Sequence, residues 1–372
     1  MKNSKIFIGL LIVLSTLAAK CKEKPEENSP NNYDKKAMLT NVADNYIVPA
    51  YLNYKNETST LNTLLNDFVT TPNTTNLVNC RDQWNETILA WQDVAMLEFG
   101  PAESISLRAQ TNIYPTDTTL INSNIISNSY DLQQPSNFDA KGLQALDYLL
   151  YKPSMTDAEL VNYFNNSSHA KTYLTTVSNE LKTNAADVYS EWQSSYSSTF
   201  IDNNETTSQG SSVSNLVNSI SLHFETYVRK GKIGIPSGVF NGISQQVLPG
   251  HVEGFYSSLS TGFAIREMEA LSKLIKGVNY NSGENGNGLD DYLDFVEAKN
   301  GEQDLSLVIE NQITTIISNL NALDGSLNSE VTFNAAGLNT IYQSMQQLVP
   351  LIKVELTSNL GVLVSYQDND GD

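Results

Sequence analysis

Cysteine and histidine are both scarce in this chain of 372 residues, which contains two cysteines and three histidines. Because Cys21 lies near the N-terminus, only Cys80 remains in the body of the chain. We therefore expect no internal disulfide and no cysteine-based metal site, and we expect Cys80 to pack as a small buried hydrophobe. His169, His223 and His251 form no H-E-x-x-H or other compact metal-binding pattern, so we predict structural or surface roles for them. No G-x-S-x-G motif supports serine hydrolase chemistry.

Basic residues are also few, with 22 Lys and Arg against 41 Asp and Glu and a formal net charge of -19 at pH 7. Residues 1–20 hold three lysines and no acids, so their removal would change the charge from -19 to -22. A chain this acidic repels nucleic acid and anionic lipid surfaces, and neither is expected as a partner. The acidity is compatible with cation binding, but it is also a simple route to solubility.

Long apolar runs are missing as well, because the most apolar stretch extends only from Ile6 to Leu14 and is too short to span a bilayer as a helix. It follows a basic start and precedes small residues, which is the pattern of a secretory signal. The sequence L-A-A-K-C that ends at Cys21 approximates a bacterial lipobox, although Lys20 stands where Gly, Ala or Ser is usual. We predict a signal peptide over residues 1–20 and lipidation of Cys21. A plain secreted protein cut nearby is the alternative.

Helical periodicity dominates the rest of the chain, and strand-like alternation is scarce. Residues 21–34 are charged and rich in Pro and Asn, which is typical of a flexible tether. Further on, apolar stripes at helical spacing predict bundle-facing helices, as at Trp84, Ile88, Trp91 and Ala95. We therefore predict an all-α protein.

The segment from Gln193 to Ser214 is rich in Ser, Thr and Asn and is the best candidate for a hinge or a long crossover. It divides the remaining chain into two stretches of comparable length. We predict two helical-bundle domains, at residues 35–200 and 201–372.

A short amphipathic helix is predicted at residues 138–151, with its leucines on one face. Gln144 and Asp147 lie three residues apart, so their side chains lie side by side on the other face. This segment resembles the signature of the imelysin-like proteins, also called the peptidase M75 family, whose motif is G-x-H-x-x-E. Gly142 matches the glycine, Gln144 stands at the histidine position, and Asp147 stands at the glutamate position.

Further motifs carry the same resemblance, in order and at compatible spacing, from about residue 35 to the end of the chain. They are Trp91–Pro101, Arg108 with Asn112–Asp117, Lys232–Gly238, Gly288–Leu293 and the acidic ending Asp368–Asp372. The chain looks most like the iron-regulated protein A-like lipoprotein branch of Bacteroidetes-type bacteria. The resemblance implies two helical bundles related by duplication.

The change at Gln144 bears directly on metal binding. A neutral imidazole is a good ligand for transition metals, whereas an amide oxygen is a poor one. If the family motif binds metal, this copy should bind weakly, bind a harder cation through oxygen atoms, or not bind. Glu98 and Asp147 are the candidate metal ligands, as carboxylates facing each other in one pocket. The alternatives are a solvent-facing Glu98 and an Asp147–Gln144 pair that fixes the helix against its neighbour.

Other candidate ligand-binding residues would line the same cleft. Arg108 and Arg266 could neutralise a carboxylate or hold an anionic ligand bidentately, or each could form a structural ion pair. Ordinary packing is the alternative for the remaining candidates, Tyr114, Tyr148 and Ser258. Gly142 completes the candidate set through its place in the motif.

Three functions follow from these features. The favoured one is a non-catalytic lipoprotein of the cell envelope, anchored by its lipid on the periplasmic or surface face of the outer membrane. It would bind a small ligand, a metal or a peptide between its bundles. The family's association with iron-regulated uptake suggests an iron cation or a haem-like ligand, together with an uptake partner in the envelope. The alternative is a partner-binding surface lipoprotein with a degenerate site. A zinc peptidase lacks the ligands and the general base that it would need.

The lipid anchor can be tested by replacing its attachment residue. We expect the wild-type protein to fractionate with membranes and to incorporate labelled fatty acid, because a lipidated cysteine is the predicted anchor. Cys21→Ala should lose both properties. Membrane association without fatty-acid labelling in the wild type would contradict lipidation.

Overall fold

Helices form almost all of the regular structure in the computed structural model of the chain, which describes residues 32–366. Within that range the strands are β1 (Lys299–Asn300) and β2 (Gln303–Asp304), which pair as an antiparallel hairpin. The all-α prediction is therefore confirmed. The predicted signal peptide, Cys21 and most of the predicted tether lie outside the described residues. None of the described helices has both the length and the apolar character needed to cross a membrane.

The first half of the described chain, residues 35–200, is built on three long helices with shorter ones between them. Its segments in order, with the last helix ending just beyond the half, are α1 (Lys35–Asn41), π-helical Val42–Ile47, α2 (Val48–Thr70), α3 (Thr74–Val94), α4 (Pro101–Ser104), α5 (Leu107–Thr111), α6 (Thr118–Ser127), 3₁₀ Pro135–Ala140, α7 (Gly142–Tyr151), α8 (Asp157–Asn166), α9 (Ser168–Glu191), π-helical Trp192–Tyr196 and α10 (Ser197–Asp202).

The second half, from residue 201 onward, contains a similar mixture. Its segments in order are α11 (Ser212–Leu222), π-helical His223–Gly234, 3₁₀ Gly242–Ser244, 3₁₀ Pro249–His251, α12 (Ser260–Ile275), α13 (Leu289–Phe295), β1, β2, α14 (Leu305–Asn321), α15 (Leu327–Phe333), α16 (Ala335–Pro350), π-helical Leu351–Leu356 and α17 (Thr357–Asn359).

Helix α3 joins the two halves. In the first half α2 packs against α3 and α9, and in the second half α14 packs against α12 and α16. Helix α3 also packs against α12, so the halves share a helix–helix contact. From Asp34 onward the chain forms one compact unit. The domain boundary near residue 200 and the duplication stay predictions.

Several local predictions agree with the structure because their signals are local. The stripe on α3 is buried along its length, as expected for a bundle-facing helix, at Trp84, Ile88, Trp91 and Ala95. The free thiol of Cys80 is buried on the same helix. A capping box, whose T-x-x-E pattern is visible in the sequence, opens α8, with Thr156 and Glu159 each accepting a backbone N–H of the other.

Two boundaries differ from expectation. The helix predicted at residues 138–151 begins only at Gly142, as α7, because the backbone of Lys141 is extended and separates it from the 3₁₀ segment Pro135–Ala140. In the predicted crossover, helix continues through Asp202 before the loop that precedes α11. Ser-rich and Thr-rich segments of this kind form helix where a buried face, here Trp192 and Phe200, stabilises them.

A buried ion pair strengthens the contact between α3 and α12. Nη2 of Arg266 lies 2.7 Å from Oδ2 of Asp93, whose side chain is only 1% exposed. The same oxygen accepts a hydrogen bond from the Tyr280 hydroxyl at 2.8 Å. Burial raises the pKa of Asp93, and Arg266 and Tyr280 oppose that rise. Arg266 therefore takes the structural alternative foreseen for it.

Removing Arg266 should destabilise the fold, because Asp93 would remain buried without a partner of opposite charge. We expect Arg266→Met to lower the free energy of unfolding by about 3 kcal/mol, because Asp93 would stay buried without its partner charge. Urea denaturation at neutral pH measures this. Lys36→Met is the matched control, since it removes an ion pair with Asp202 in which both side chains are mostly exposed and should cost much less. Equal losses for the two variants would contradict the argument.

Candidate functional site

A cavity of about 410 Å³ lies between the chain that follows α3 and the π-helical segment His223–Gly234. Both halves contribute to its wall, which includes the end of α5 and the loop after it. The lining residues are Glu98, Arg108, Ala109, Asn112, Ile113, Tyr114, Thr226, Tyr227, Lys230, Gly231 and Ile235. The volume lies within the range of small-molecule sites in proteins.

Arg108 is the most constrained cation in this wall. Its side chain is buried, its Nη2 donates to the carbonyl of Ala95 at 2.9 Å, and its guanidinium carbon lies 4.2 Å from the centre of the Tyr227 ring. These contacts fix the plane of the guanidinium. Its Nε is buried without a hydrogen-bond partner among the described residues. Arg108 therefore presents a guanidinium held in one orientation at the cavity wall.

Glu98 lies beside Arg108 but is turned toward its backbone. The two carboxylate oxygens of Glu98 lie 3.1 and 3.3 Å from the Arg108 N–H, which donates to them. Burial raises the pKa of Glu98, while the Arg108 charge and this hydrogen bond oppose the rise. Part of the hydrogen-bonding capacity of Glu98 is therefore used in holding α5 in place.

A second void of about 20 Å³ adjoins the cavity and shares Arg108, Asn112, Tyr114 and Tyr227 with it. Its remaining wall includes His223, Lys232 and Glu267. The wider winding of a π-helix brings His223, Tyr227 and Lys232 to this void, and such segments are frequent at functional sites.

Lys232 is the centre of a buried ionic cluster next to that void. Its ammonium contacts the carboxylate of Glu253, lies 3.0 Å from Oε2 of Glu267 and donates to Oε1 of Gln92 at 3.0 Å. All four side chains are buried. Burial alone would lower the pKa of Lys232, but the two carboxylates raise it. The lysine is therefore charged at neutral pH.

His223 contacts the same Glu267 through Nε2. Burial lowers the pKa of His223 to about 4, with Glu267 opposing the fall. Burial would raise the pKa of Glu267, but Lys232 and His223 lower it to about 2. At neutral pH the histidine is thus neutral and the glutamate ionised. The structural role predicted for His223 agrees with this burial.

A chain of amide groups connects this cluster to the family motif. Oε1 of Glu253 accepts from Asn112 at 2.6 Å, Oδ1 of Asn112 accepts from Gln144 at 2.8 Å, and Oε1 of Gln144 accepts from the Gly254 N–H at 2.9 Å. Gln144 therefore acts as a donor and an acceptor between the halves.

Asp147 fastens the next residues of the same segment. Its Oδ2 and Oδ1 accept the N–H groups of Tyr256 and Ser257, each at 2.9 Å, and its side chain is fully buried. Burial raises the pKa of Asp147 to about 7, and the two backbone donors oppose the rise. The motif acid thus holds the chain between Glu253 and Ser257 against α7.

Gly142 and Tyr148 support α7 in this position. Gly142 has a φ of +73°, and a β-carbon there would lie 2.2 Å from the Thr111 carbonyl oxygen, so α7 can approach α5 only with glycine at this site. The Tyr148 hydroxyl accepts from Asn122 at 2.8 Å, and its ring packs against Tyr256.

The structure separates the predicted site residues into two groups. Glu98, Arg108 and Tyr114 line the cavity. The others, Gly142, Gln144, Asp147, Tyr148, Ser258 and Arg266, are not among its lining residues. Ser258 accepts a hydrogen bond from Asn328 at 3.3 Å.

The candidate metal pair, Glu98 and Asp147, is not brought together at the cavity, because Asp147 is bound to backbone N–H groups. In the described part of the chain, no group of three or more His, Cys, Asp and Glu side chains could hold a metal ion. Metal binding by this pair stays a prediction.

Sequence reasoning missed the ionic cluster of Lys232, Glu253 and Glu267. The available signal was the set of motifs that support the family resemblance. Lys232 opens K-I-G-I-P-S-G, and Asn112 opens N-I-Y-P-T-D. Glu253 and Glu267 carry no comparable local pattern, because only the tertiary packing within the second half brings them to Lys232.

A sequence model of the imelysin (peptidase M75) family matches residues 47–354. The chain belongs to the imelysin family. No protein of curated function matches the sequence.

Two solved structures of bacterial proteins share the fold. One is a candidate iron-regulated protein A precursor from Parabacteroides distasonis ATCC 8503, with a TM-score of 0.73, 16% identity, and coverage of 90% of this chain and 98% of that one. The other is an imelysin-like protein from Psychrobacter arcticum 273-4, with a TM-score of 0.69, 21% identity, and coverage of 89% and 97%. At these identities the similarity shows the imelysin fold alone.

The contact made by Asp147 should depend on pH. The pKa of Asp147 is about 7 in the folded chain and ordinarily 3.8, so the folded chain binds the proton more tightly than the unfolded chain. The resulting stabilisation is complete below pH 3.8 and is lost as the pH rises to about 7. We expect the unfolding free energy of the wild type, minus that of Asp147→Asn, to fall by up to about 4 kcal/mol between pH ~4 and ~7. Urea titrations across this range measure it. A difference that does not change with pH would exclude the raised pKa.

Proposed function

We propose that this imelysin-family protein is a cell-envelope binding protein that holds a small ligand in the cavity beside Arg108. The observation that carries the proposal is the guanidinium of Arg108, which the Ala95 carbonyl and the Tyr227 ring hold at the wall of a cavity of about 410 Å³. Predicted lipidation of Cys21 would tether the binding site to the membrane. Binding without chemistry is the activity that these side chains support best.

The buried side chains argue against a metallopeptidase. Lys232 places a positive charge between the two carboxylates that would otherwise be suited to a cation, and it forms an ion pair with each of them. Gln144 uses its amide to join Asn112 and Gly254. A zinc hydrolase needs several good ligands and an open coordination position, and these groups are committed to one another.

Iron or a haem-like compound is the ligand that the family context suggests. One structural neighbour carries the name iron-regulated protein A precursor, and that name is the source of this part of the proposal. The cavity wall offers Glu98 as its one carboxylate and no imidazole. Iron would therefore be bound as part of a larger compound rather than as a bare ion.

A partner-binding surface lipoprotein is the second candidate. It is favoured by the use of Gln144 and Asp147 for packing, since both motif side chains are engaged by the chain between Gly254 and Ser257. In that case the cavity would have no ligand, and the outer surface would carry the function.

Calorimetric titration of the full-length protein separates these possibilities. We expect haem to bind saturably at one site, and free Fe²⁺, Fe³⁺, Zn²⁺ and Ca²⁺ to bind weakly or not at all. Ala109→Phe should weaken haem binding about tenfold or more, which equals about 1.4 kcal/mol, because the added ring would occupy the cavity.

Ala336→Phe is the matched control, because Ala336 is exposed on α16 and does not line the cavity. Haem binding that is unchanged in Ala109→Phe would place the ligand elsewhere. Absence of binding by the wild type would favour the partner-binding protein.

A further inference from the structure

The cavity reverses the charge balance of the chain. Over the whole sequence 41 acidic residues face 22 basic ones, but the cavity wall contains two cations, Arg108 and Lys230, and one carboxylate, Glu98. Cations concentrated in a cleft of an otherwise acidic protein create a local field that attracts anions, while the remaining surface repels them. The wall is thus selective in the sign of charge that it accepts.

Arg108 has the geometry of an anion receptor. The Ala95 carbonyl and the Tyr227 ring hold its guanidinium in one orientation, and its side chain is 9% exposed. Arginine presents donors in a planar fork that matches carboxylates and other oxyanions, and a fork already fixed in place loses little entropy on binding.

Glu98 does not cancel this receptor. Its carboxylate accepts the backbone N–H of Arg108, which draws it toward the main chain of α5. Lys230 adds a second positive charge from the opposite half of the chain, where its ammonium also lies 5.1 Å from the centre of the Phe240 ring. The lining residues thus include two cations and one carboxylate, and that carboxylate is engaged by a backbone N–H.

The rest of the wall is mostly apolar. Ala109, Ile113 and Ile235 contribute aliphatic surface, and Tyr114 and Tyr227 contribute rings. A ligand that fills this space needs an apolar or aromatic body in addition to its charged group, because burying polar surface there would leave it unsatisfied.

We infer that the cavity selects a small organic anion, whose acidic group meets Arg108 and Lys230 and whose apolar body lies against Tyr114 and Tyr227. The inference rests on the proposed function, because it assigns the chemical class of ligand to the same cavity. The proposed function requires only a small ligand, whereas this inference requires that the ligand carry a negative charge.

The test compares two probes that differ in that charge. The dye 8-anilinonaphthalene-1-sulfonate carries a sulfonate on the same aromatic frame as the neutral N-phenyl-1-naphthylamine. Both are titrated into the full-length protein and followed by fluorescence. We expect the sulfonate to bind at one site at least about tenfold more tightly than the neutral probe.

Charge variants then locate the selectivity. Arg108→Gln and Lys230→Gln should each weaken binding of the sulfonate by about tenfold and change binding of the neutral probe by less than about twofold. Lys230 is only partly buried, so its variant tests the inference even if Arg108→Gln folds poorly. Circular dichroism and thermal melting identify a variant that has lost its fold.

Ala109→Phe separates failure of the inference from failure of the proposed function. The sulfonate dye also binds exposed apolar surface, so binding in the cavity has to be distinguished from binding elsewhere. Binding in the cavity is the binding that is lost in Ala109→Phe and kept in Ala336→Phe. Equal affinity for the two probes, both lost in Ala109→Phe, would overturn the anion class and leave the binding cavity standing. Probe binding that Ala109→Phe does not change, or no binding at all, would overturn both.

Discussion

The ion pair of Lys232 with Glu253 and Glu267 is the interaction on which the rest of the site depends. A single ammonium forms ion pairs with two buried carboxylates that come from different segments of the second half, and Gln92 joins them from α3 of the first. Removing the lysine would leave two unpaired buried charges, which is a far larger penalty than the loss of a surface pair. The cluster thus fixes the wall of the void beside the cavity.

The family motif serves this arrangement in an unexpected way. Gln144 and Asp147 hold the chain from Gly254 to Ser257 and so position Glu253 for Lys232. A motif expected to face a ligand instead fastens one half of the protein to the other. The motif residues and the cavity are therefore separate in this fold, because the cavity is lined by Arg108, Tyr227 and their neighbours.

The helical fold could be predicted from the sequence because its signals are local, as in the buried stripe of α3 around Trp84 and the capping box at Thr156. Glu98, Arg108 and Tyr114, which were singled out through their motifs, line one cavity, and their role in ligand binding stays a prediction. The position of Asp147 could not be predicted, since its partners lie more than 100 residues away. Long-range pairing leaves no periodicity in a single sequence, and the same limit hid the Lys232 cluster.

The amide chain described above closes on itself. It runs from the Gly254 N–H through Gln144 and Asn112 to the Glu253 carboxylate, and Glu253 and Gly254 are consecutive residues. Every donor in this ring points the same way around it, toward the one negative charge, so each bond polarises the next. Substitutions within such a ring should be non-additive, because opening it once removes most of what a second opening could remove. Asn112 and Gln144 therefore act as one unit, because replacing either residue opens the ring and replacing both removes little more.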